Sequence, residues 1–291
     1  MRLVTFTHAG STRIGALLGD QVVDLAAAAP ELPSEMCLFL AAGPGAMDRA
    51  REAAARGQSR IAAGEVRLEA PILRPPKILA VGLNYADHVR ETGREAPKVP
   101  MIFNKQSTAV NGPTGAIHVP RVSDQVDWEG ELAFVIGKRC RHVPRDRAPS
   151  VIAGYTIVND VSVRDWQHRV PTFTMGKSFD THCPIGPAIV TGDEIGDPHA
   201  LDLRTWVNDE LRQSSNTREL IFDCFHLVEH LSTAFTLEPG DVVSTGTPSG
   251  VGAAMNPPTF LVAGDTVRVA IESIGELRNP VIAEPADTVV Y

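Results

Sequence analysis

Alternating hydrophobic and polar positions predict short strands at the start of the chain. After Leu3, residues 4–7 alternate between the two kinds of position. Two further apolar runs flank Gly19 and Asp20, a pair typical of a tight hairpin turn. An Ala, Arg and Glu-rich stretch over residues 46–56 predicts a helix. Closely spaced prolines over residues 71–76 then interrupt regular structure. We therefore predict a small N-terminal β-rich domain with its linker over residues 1–75.

Residues 76–291 are dominated by β-branched runs that Gly and Pro separate, as expected for a sheet-rich catalytic domain. The 3.6-residue spacing of a helix is clear in few places. The pattern predicts an α+β fold that is mainly β. The predicted strands cover residues 77–82, 132–137, 151–158, 188–190, 242–245 and 266–271, and the predicted helices cover residues 84–91 and 222–235.

Composition and charge exclude several classes of protein. The 291 residues are 43% hydrophobic and 21% charged, with a net charge of -8 and no dense Lys/Arg cluster, so a nucleic-acid partner is not expected. The first residues lack the apolar core of a signal peptide, and no stretch is long and apolar enough to span a membrane. Four cysteines lie far apart without a CxxC pair, which fits a reducing cytoplasm.

Glu129, Glu131 and Asp160 are the candidate metal ligands. On a strand, Glu129 and Glu131 point to one face, and the apolar run at residues 132–136 predicts that this strand is internal. Two adjacent buried anions oppose each other's ionisation unless a cation lies between them. Asp160 follows another apolar run and is the best third ligand. Oxygen ligands select Mg²⁺ or Mn²⁺, with Ca²⁺ also possible. The spacing alone is also compatible with three solvated or salt-bridged carboxylates on the protein surface.

A second metal motif is present on the predicted helix at residues 222–235. His226, Glu229 and His230 have the HxxEH spacing of inverted zinc proteases. Both histidines fall away from the apolar stripe of this helix, so a solvated helix face explains them, and we do not expect zinc proteolysis.

Five ordered motifs resemble the fumarylacetoacetate hydrolase family, in the branch of acylpyruvate hydrolases and 2-hydroxyhepta-2,4-diene-1,7-dioate isomerases. The resemblance implies a mixed β-roll catalytic domain, a homodimer, a small 2-oxo acid substrate, and Mg²⁺ or Mn²⁺ on Glu129, Glu131 and Asp160. The motifs are GLNYADH at residues 82–88, WEGEL at 128–132, NDVSVRD at 159–165, GKSFDT at 176–181 and TGTPSGVG at 245–252.

The same resemblance assigns roles to further residues. His88 is expected to be a general base, with Glu91 as its hydrogen-bonded partner three residues later on a helix. Lys177 is expected to stabilise a developing oxyanion. Residues 93–100 are polar and carry prolines, which suits a loop covering a site. The expected substrate-binding residues are Tyr85, Arg164, Gln167, Thr181 and Thr247.

Each of these residues also has a simpler interpretation. His88 and Glu91 could be an exposed helix pair, Lys177 could be solvated, and Arg164 and Gln167 could only order the metal loop. The surrounding motifs favour the catalytic roles.

The implied chemistry begins with chelation of a 2-oxo acid and formation of an enolate. Our leading hypothesis is hydrolysis of a 2,4-dioxo acid to pyruvate and a carboxylic acid, with the group at C4 left open. The same site could instead tautomerise, isomerise or decarboxylate a 2-oxo acid. A metal-dependent binding protein on the same fold is a third, non-enzymatic alternative.

Overall fold

Strands carry most of the fold in the computed structural model, which describes residues 1–93 and 95–286. Helices are fewer and mostly short. The strands of the described residues are β1 (Arg2–His8), β2 (Ser11–Leu18), β3 (Gln21–Asp24), β4 (Arg60–Ala62), β5 (Arg67–Leu68), β6 (Ile78–Gly82), β7 (Met101–Lys105), β8 (Val110–Asn111), β9 (Ile117–Val119), β10 (Val126–Asp127), β11 (Gly130–Ile136), β12 (Ile152–Asn159), β13 (Ser162–Val163), β14 (Cys183–Val190), β15 (Asp202–Val207), β16 (Glu210–Asn216), β17 (Val242–Ser244), β18 (Thr266–Ile271) and β19 (Gly275–Ala283). The α-helices are α1 (Leu25–Ala28), α2 (Met36–Ala41), α3 (Pro44–Arg56), α4 (Ala86–Thr92), α5 (Arg164–Gln167), α6 (Thr174–Lys177), α7 (Gly192–Ile195) and α8 (Cys224–Ala234).

The largest sheet joins the N-terminal strands to the strands of the predicted catalytic domain. Its order is β4-β3-β2-β1-β14-β12-β11-β17-β6-β7, with β5 also pairing with β1 and β8 with β14. Most neighbours are antiparallel, but β17 and β6 run parallel, so the sheet is mixed. The predicted boundary at residue 75 falls between β5 and β6, and strands from both sides of it lie in this one sheet.

Two smaller sheets stand beside the main one. The five-stranded sheet has the order β16-β15-β18-β19-β9, and a two-stranded ribbon pairs β10 with β13. The ribbon places Asp127 opposite Ser162, two residues before Arg164. It therefore brings the segment before β11 next to the segment after β12.

Apolar side chains from both faces of the main sheet form the core. All seven residues of β11 are buried, and the strand lies between β12 and β17. On one face of β11, Phe134 lies in a core cluster with Trp128. On the other face, Val135 lies in a second cluster that includes Met36 and Phe39 of α2. This double coverage explains why β11 is apolar at nearly every position.

The observed elements confirm the fold class predicted from the sequence, an α+β protein that is mainly β. The three N-terminal strands, the six later strands and all three predicted helices are present, with ends shifted by up to five residues. Residues 93–100 lie between α4 and β7 as predicted, with Arg94 outside the described residues. In the described ranges, no helix has both the length and the apolar character needed to cross a membrane.

Candidate active site

A cavity of about 390 Å³ opens beside the ends of β6, β7 and β11. Eight of the eleven residues predicted for the site contribute to its lining. Asp160 is fully buried just behind the lining and contacts it through Lys177. The eight lining residues are His88, Glu91, Glu129, Glu131, Arg164, Gln167, Lys177 and Thr247.

Strand pairing brings the three predicted metal ligands together. Glu129 immediately precedes β11, Glu131 lies within it, and Asp160 immediately follows the antiparallel strand β12. The Asp160 backbone N-H donates to the Glu129 carbonyl at 2.8 Å, and the Glu129 N-H donates to the Asn159 side-chain oxygen at 3.0 Å. One carboxylate oxygen from each acid lies within 4.8 Å of the others. These acids are therefore a buried cluster and not surface residues.

Glu131 is the acid whose charge is least compensated. Its carboxylate accepts hydrogen bonds from the Ser244 hydroxyl and, at 2.8 Å, from the Gly246 N-H, and both donors are neutral. Within residues 1–93 and 95–286, Glu131 forms no ion pair. Burial raises the pKa of Glu131 well above its ordinary value, and the neighbouring charges of Asp160 and Glu129 raise it further.

Two buried lysines approach the other two acids. The ammonium of Lys177 lies 2.8 Å from Glu129 and 2.7 Å from Asp160, and that of Lys105 lies 2.6 Å from the second Asp160 oxygen. Burial alone would raise the pKa of Glu129, but ion pairs with Lys177 and Arg164 hold it below its ordinary value. Burial likewise opposes the Lys177 charge, yet Asp160 and Glu129 raise the pKa of Lys177 above its usual range. Lys177 is therefore a charged group of the site and not a solvated lysine.

The residues present fit a divalent cation. The buried cluster holds four acids against three bases, namely Asp127, Glu129, Glu131 and Asp160 against Lys105, Arg164 and Lys177. With all seven charged, the cluster has a net charge of -1, and a divalent cation would make it +1. Three hard oxygen donors and an uncompensated anion suit Mg²⁺ or Mn²⁺. The resulting positive charge would complement an anionic substrate.

Two short crossing helices position Lys177, Arg164 and Gln167. Arg164 begins α5, Gln167 ends it, and Lys177 ends α6. A side chain at Gly176 would place its Cβ 2.2 Å from the Gln167 backbone nitrogen, so only glycine allows α6 to cross α5 this closely. Arg164 donates from Nη1 to the Gln167 side-chain oxygen at 2.9 Å and pairs with Glu129 at 2.6 Å.

The predicted His88 and Glu91 pair is present on α4. His88 Nδ1 and Glu91 Oε2 are 2.9 Å apart, and both side chains line the cavity. The other oxygen of Glu91 accepts a hydrogen bond from the Gly250 N-H at 2.8 Å. The pair is thus held beside the cavity by the Gly250 contact and is not a free helix pair. The Nδ1 contact leaves Nε2 as the ring nitrogen available for proton transfer.

Three predicted substrate-binding residues either use their polar groups in hydrogen bonds within the protein or lie outside the cavity lining. The Thr247 hydroxyl lines the cavity, but it donates to the Gly130 carbonyl and accepts from Gln213. Thr181 is not among the lining residues, and its hydroxyl accepts the His118 N-H at 3.0 Å. Tyr85 is completely buried and also lies outside the lining. We therefore leave Tyr85 and Thr181 out of the proposed substrate contacts.

Apolar side chains form the rest of the cavity wall. Phe103 and Phe173 pack edge to face with ring centres 6.0 Å apart, and Phe103 lies beside the Lys177 ammonium at 5.1 Å. The cavity is thus charged where the acids lie and apolar along the wall that these side chains form. Its apolar members are Val81, Leu83, Met101, Phe103, Phe173, Val251, Ala253 and Ala254.

The sequence analysis missed two residues of the site. Lys105 ends an apolar strand, and its partner Asp160 is 55 residues away. Asp127 precedes the WEGEL motif and was passed over, although it is fully buried and contacts Arg164. The one signal that both share is a charged residue at the last position of a strand, β7 for Lys105 and β10 for Asp127.

Comparisons with known proteins show similarity over nearly the whole chain. Residues 77–282 match the family model described as fumarylacetoacetate (FAA) hydrolase, C-terminal. The mitochondrial oxaloacetate tautomerase fahd2 of Xenopus laevis is 45% identical over 288 residues, which cover 97% of this chain and 90% of that protein. Seven relatives at 42–45% identity include six that carry the oxaloacetate tautomerase name.

Solved structures extend the similarity. Maleylpyruvate hydrolase from Sphingobium sp. SYK-6, in complex with manganese(II) and pyruvate, matches with a TM-score of 0.83 and 36% identity, over 98% of this chain and 100% of that one. 5-Carboxymethyl-2-hydroxymuconate delta-isomerase from Mycobacterium smegmatis matches with a TM-score of 0.80 and 38% identity, over the same shares.

The fold and its buried carboxylate cluster define a family of enzymes with a candidate metal site. The chain belongs to the fumarylacetoacetate hydrolase family, in the branch of acylpyruvate hydrolases and 2-hydroxyhepta-2,4-diene-1,7-dioate isomerases. The resemblance and the mixed β-rich fold inferred from the sequence are both confirmed.

Proposed function

We propose that this chain is a divalent-metal-dependent hydrolase that cleaves the C3-C4 bond of a 2,4-dioxo acid, such as an acylpyruvate. One observation carries the proposal: the His88 and Glu91 pair faces the same cavity as Glu129, Glu131 and Lys177. A base and an anion-stabilising centre on one cavity are the two components that this cleavage needs.

Each charged group has a defined task in this proposal. Glu129, Glu131 and Asp160 would hold Mg²⁺ or Mn²⁺, which would supply positive charge for the developing enolate. Lys177 adds its fixed ammonium to the same region. Arg164 lines the cavity and places its positive charge beside the substrate carboxylate.

His88 activates water for the cleavage step. Nε2 takes a proton from water while Glu91 holds Nδ1, and the hydroxide oxygen adds to the C4 carbonyl. The C3-C4 bond then breaks with its electron pair moving to C3 to form the pyruvate enolate. His88 returns its proton to C3. The products are pyruvate and a carboxylic acid, so one water is consumed for each substrate.

The shape of the cavity supports a substrate with a group beyond C4. A volume of about 390 Å³ exceeds that of a four-carbon dicarboxylate, and the side wall with Met101, Phe103 and Phe173 is apolar. Such a wall suits an acyl substituent better than a second carboxylate.

Tautomerisation of oxaloacetate is the second candidate. The high identity to oxaloacetate tautomerases over 97% of the chain favours it. In that reaction His88 would move a proton from C3 without activating water, while Lys177 and Arg164 would keep the same tasks. The two candidates therefore differ in whether the C3-C4 bond breaks.

The test is a Mn²⁺-dependent assay on acetylpyruvate, fumarylpyruvate and oxaloacetate that follows pyruvate release and enol absorbance. We expect pyruvate from an acylpyruvate, reduced at least about 100-fold in His88→Asn and Glu131→Gln. The exposed His142→Asn is the matched control and should retain full activity. Interconversion of the keto and enol forms of oxaloacetate, without pyruvate from either acylpyruvate, would replace hydrolysis by tautomerisation.

We also propose that the active form is a homodimer, as the family resemblance implies. The chain mass is 31.3 kDa, so light scattering on a size-exclusion column should give about twice that value. A monomer at micromolar concentration would contradict this proposal.

A further inference from the structure

Asp127 is a buried carboxylate with more hydrogen-bond donors around it than any of the three candidate metal ligands. One oxygen accepts the N-H groups of Trp128 at 2.8 Å and Gly252 at 2.7 Å. The other accepts Arg164 Nε at 2.8 Å and the Ala253 N-H at 2.9 Å. Asp127 has no exposed surface and does not line the cavity. It therefore acts on the site only through the groups it holds.

The first of these groups is Arg164. Nη2 of Arg164 also lies 2.7 Å from Asp127, as an ion-pair contact, but it has no well-directed acceptor in the part of the chain that the structure describes. Nε is fully used by Asp127, and Nη1 is used by Gln167 and Glu129. Asp127 thus fixes the orientation of the guanidinium by its Nε edge. Nη2 is buried and keeps an unused donor, and Arg164 as a whole lines the cavity.

The second group is a turn that we call the cavity turn, residues 250–254. Its residues Val251, Ala253 and Ala254 line the cavity. Asp127 holds the middle of the turn through two N-H groups, and Glu91 holds its start through Gly250. A Cβ on Gly252 would lie 2.8 Å from Asp127 and 2.0 Å from the Thr259 carbonyl, so the approach requires glycine.

We propose that Asp127 is a positioning residue that orients Arg164 for the carboxylate of a 2-oxo acid and fixes the cavity turn that holds Glu91. This inference rests on the proposed function for the identity of the ligand. A carboxylate that holds an arginine by its Nε edge limits rotation of the guanidinium, so less ordering is needed when an anion binds. Asp127 thus contributes to binding of the substrate carboxylate without touching it.

Asp127→Asn removes the acceptor for Arg164 and keeps part of the hold on the cavity turn. The amide oxygen can still accept from Trp128 and Gly252, whereas the amide N-H₂ group faces Arg164 Nε and the Ala253 N-H and cannot accept from either. We expect oxalate, a planar dianion with the carboxylate geometry of a 2-oxo acid, to bind about 10- to 100-fold more weakly in the presence of saturating Mn²⁺. The measurement is isothermal titration calorimetry, which needs no turnover.

A double-mutant cycle tests whether Asp127 acts through Arg164. Arg164→Met removes the guanidinium, and in that background Asp127→Asn should change oxalate affinity by less than about twofold. Asp165→Asn is the matched control, because it removes an acid next to Arg164 that contacts Ser123 and Arg169 instead. Equal losses from Asp127→Asn in both backgrounds, or no loss in the wild type, would overturn the positioning role.

Activity provides a second readout. With a substrate that the wild type turns over, Asp127→Asn should raise KM by the same 10- to 100-fold and change kcat by less than about threefold. If Asp127→Asn does not fold, Asp127→Glu keeps the charge, lengthens the arm by one carbon, and should show the same dependence on Arg164. A wild type that binds oxalate but converts none of the three 2-oxo acids would contradict the proposed reaction alone.

Discussion

Lys105 shows how strongly single buried charges depend on one another in this protein. It is nearly inaccessible to water, and its ammonium lies between the Asp160 carboxylate and the Val161 carbonyl. A charge can be buried in this way only when its partner stays within hydrogen-bond distance. Lys105 therefore holds Asp160 in place for its predicted role as a metal ligand.

Lys105→Met removes that ammonium while keeping much of the side-chain volume. We expect the free energy of unfolding to fall by about 3 kcal/mol in EDTA, because one Asp160 oxygen is left without its cation. Urea denaturation measures this change. Lys138→Met, at an exposed position, should change stability by less than about 0.5 kcal/mol. Equal stability of the two variants would show that the buried pair contributes nothing.

His182 is a buried neutral imidazole. It contacts the His118 carbonyl at 2.7 Å through Nε2, and burial lowers the pKa of His182 from 6.5 to about 3. The unfolded chain therefore binds a proton between these values and the folded chain does not. Neutral His182 therefore makes its full contribution to the free energy of unfolding above pH 6.5. This contribution is lost as the pH falls from 6.5 toward 3.

Replacing His182 should make the free energy of unfolding depend less on pH below pH 6.5. Between pH 6.5 and 5 this one group lowers the wild-type free energy of unfolding by about 2 kcal/mol, at about 1.4 kcal/mol per pH unit. The decrease over that interval should be smaller by this amount in His182→Gln. Urea titrations at the two pH values measure it, and the exposed His142→Asn should follow the wild type. Parallel profiles for all three proteins would contradict the lowered pKa.

At the scale of elements, β11 is the strand that organises the site. It has a neighbour on each edge and apolar packing on both faces, and it carries Glu131 at its start. The same strand that fills the core therefore sets the distance between the carboxylates.

Phe134→Ala tests this dependence. Phe134 is completely buried, so we expect unfolding to become about 3–5 kcal/mol easier because a cavity replaces the ring. Thermal and urea denaturation measure the loss. Leu211→Ala, on an exposed strand position, should cost less than about 1 kcal/mol. A similar effect of both substitutions would mean that β11 is not a central strand.

The sequence predicted those elements that have a local signal. An apolar run on both faces predicted the internal strand β11, and a carboxylate next to each of two strand ends predicted the metal cluster. Lys105 and Asp127 were missed because their partners lie far along the chain, and a polar residue at a strand end usually faces water. Tyr85 and Thr181 belong to the family motifs, but motif membership does not determine which side of the backbone a side chain occupies.

For the whole molecule, a bound cation should be a major source of stability. Three carboxylates converge in the fold but are separated in the unfolded chain, so a divalent cation held by them would bind the folded state preferentially. At a free concentration 100 times the dissociation constant, we expect about 2.7 kcal/mol of added stability. Differential scanning fluorimetry with Mn²⁺ and with EDTA measures it. Glu131→Gln should lose this shift, and a wild type without any shift would contradict the metal site.

The main sheet does not stop at residue 75, because β1 pairs with β14 through Arg2 with Val190 and Leu3 with Ile189. A shortened gene product that begins at residue 76 would keep every candidate catalytic residue, yet it would present the bare edge of β14 to solvent. Unprotected strand edges recruit other strands. Such a fragment should polymerise instead of behaving as a minimal enzyme. The N-terminal strands therefore keep the catalytic part of the chain soluble, because they cover the edge of β14.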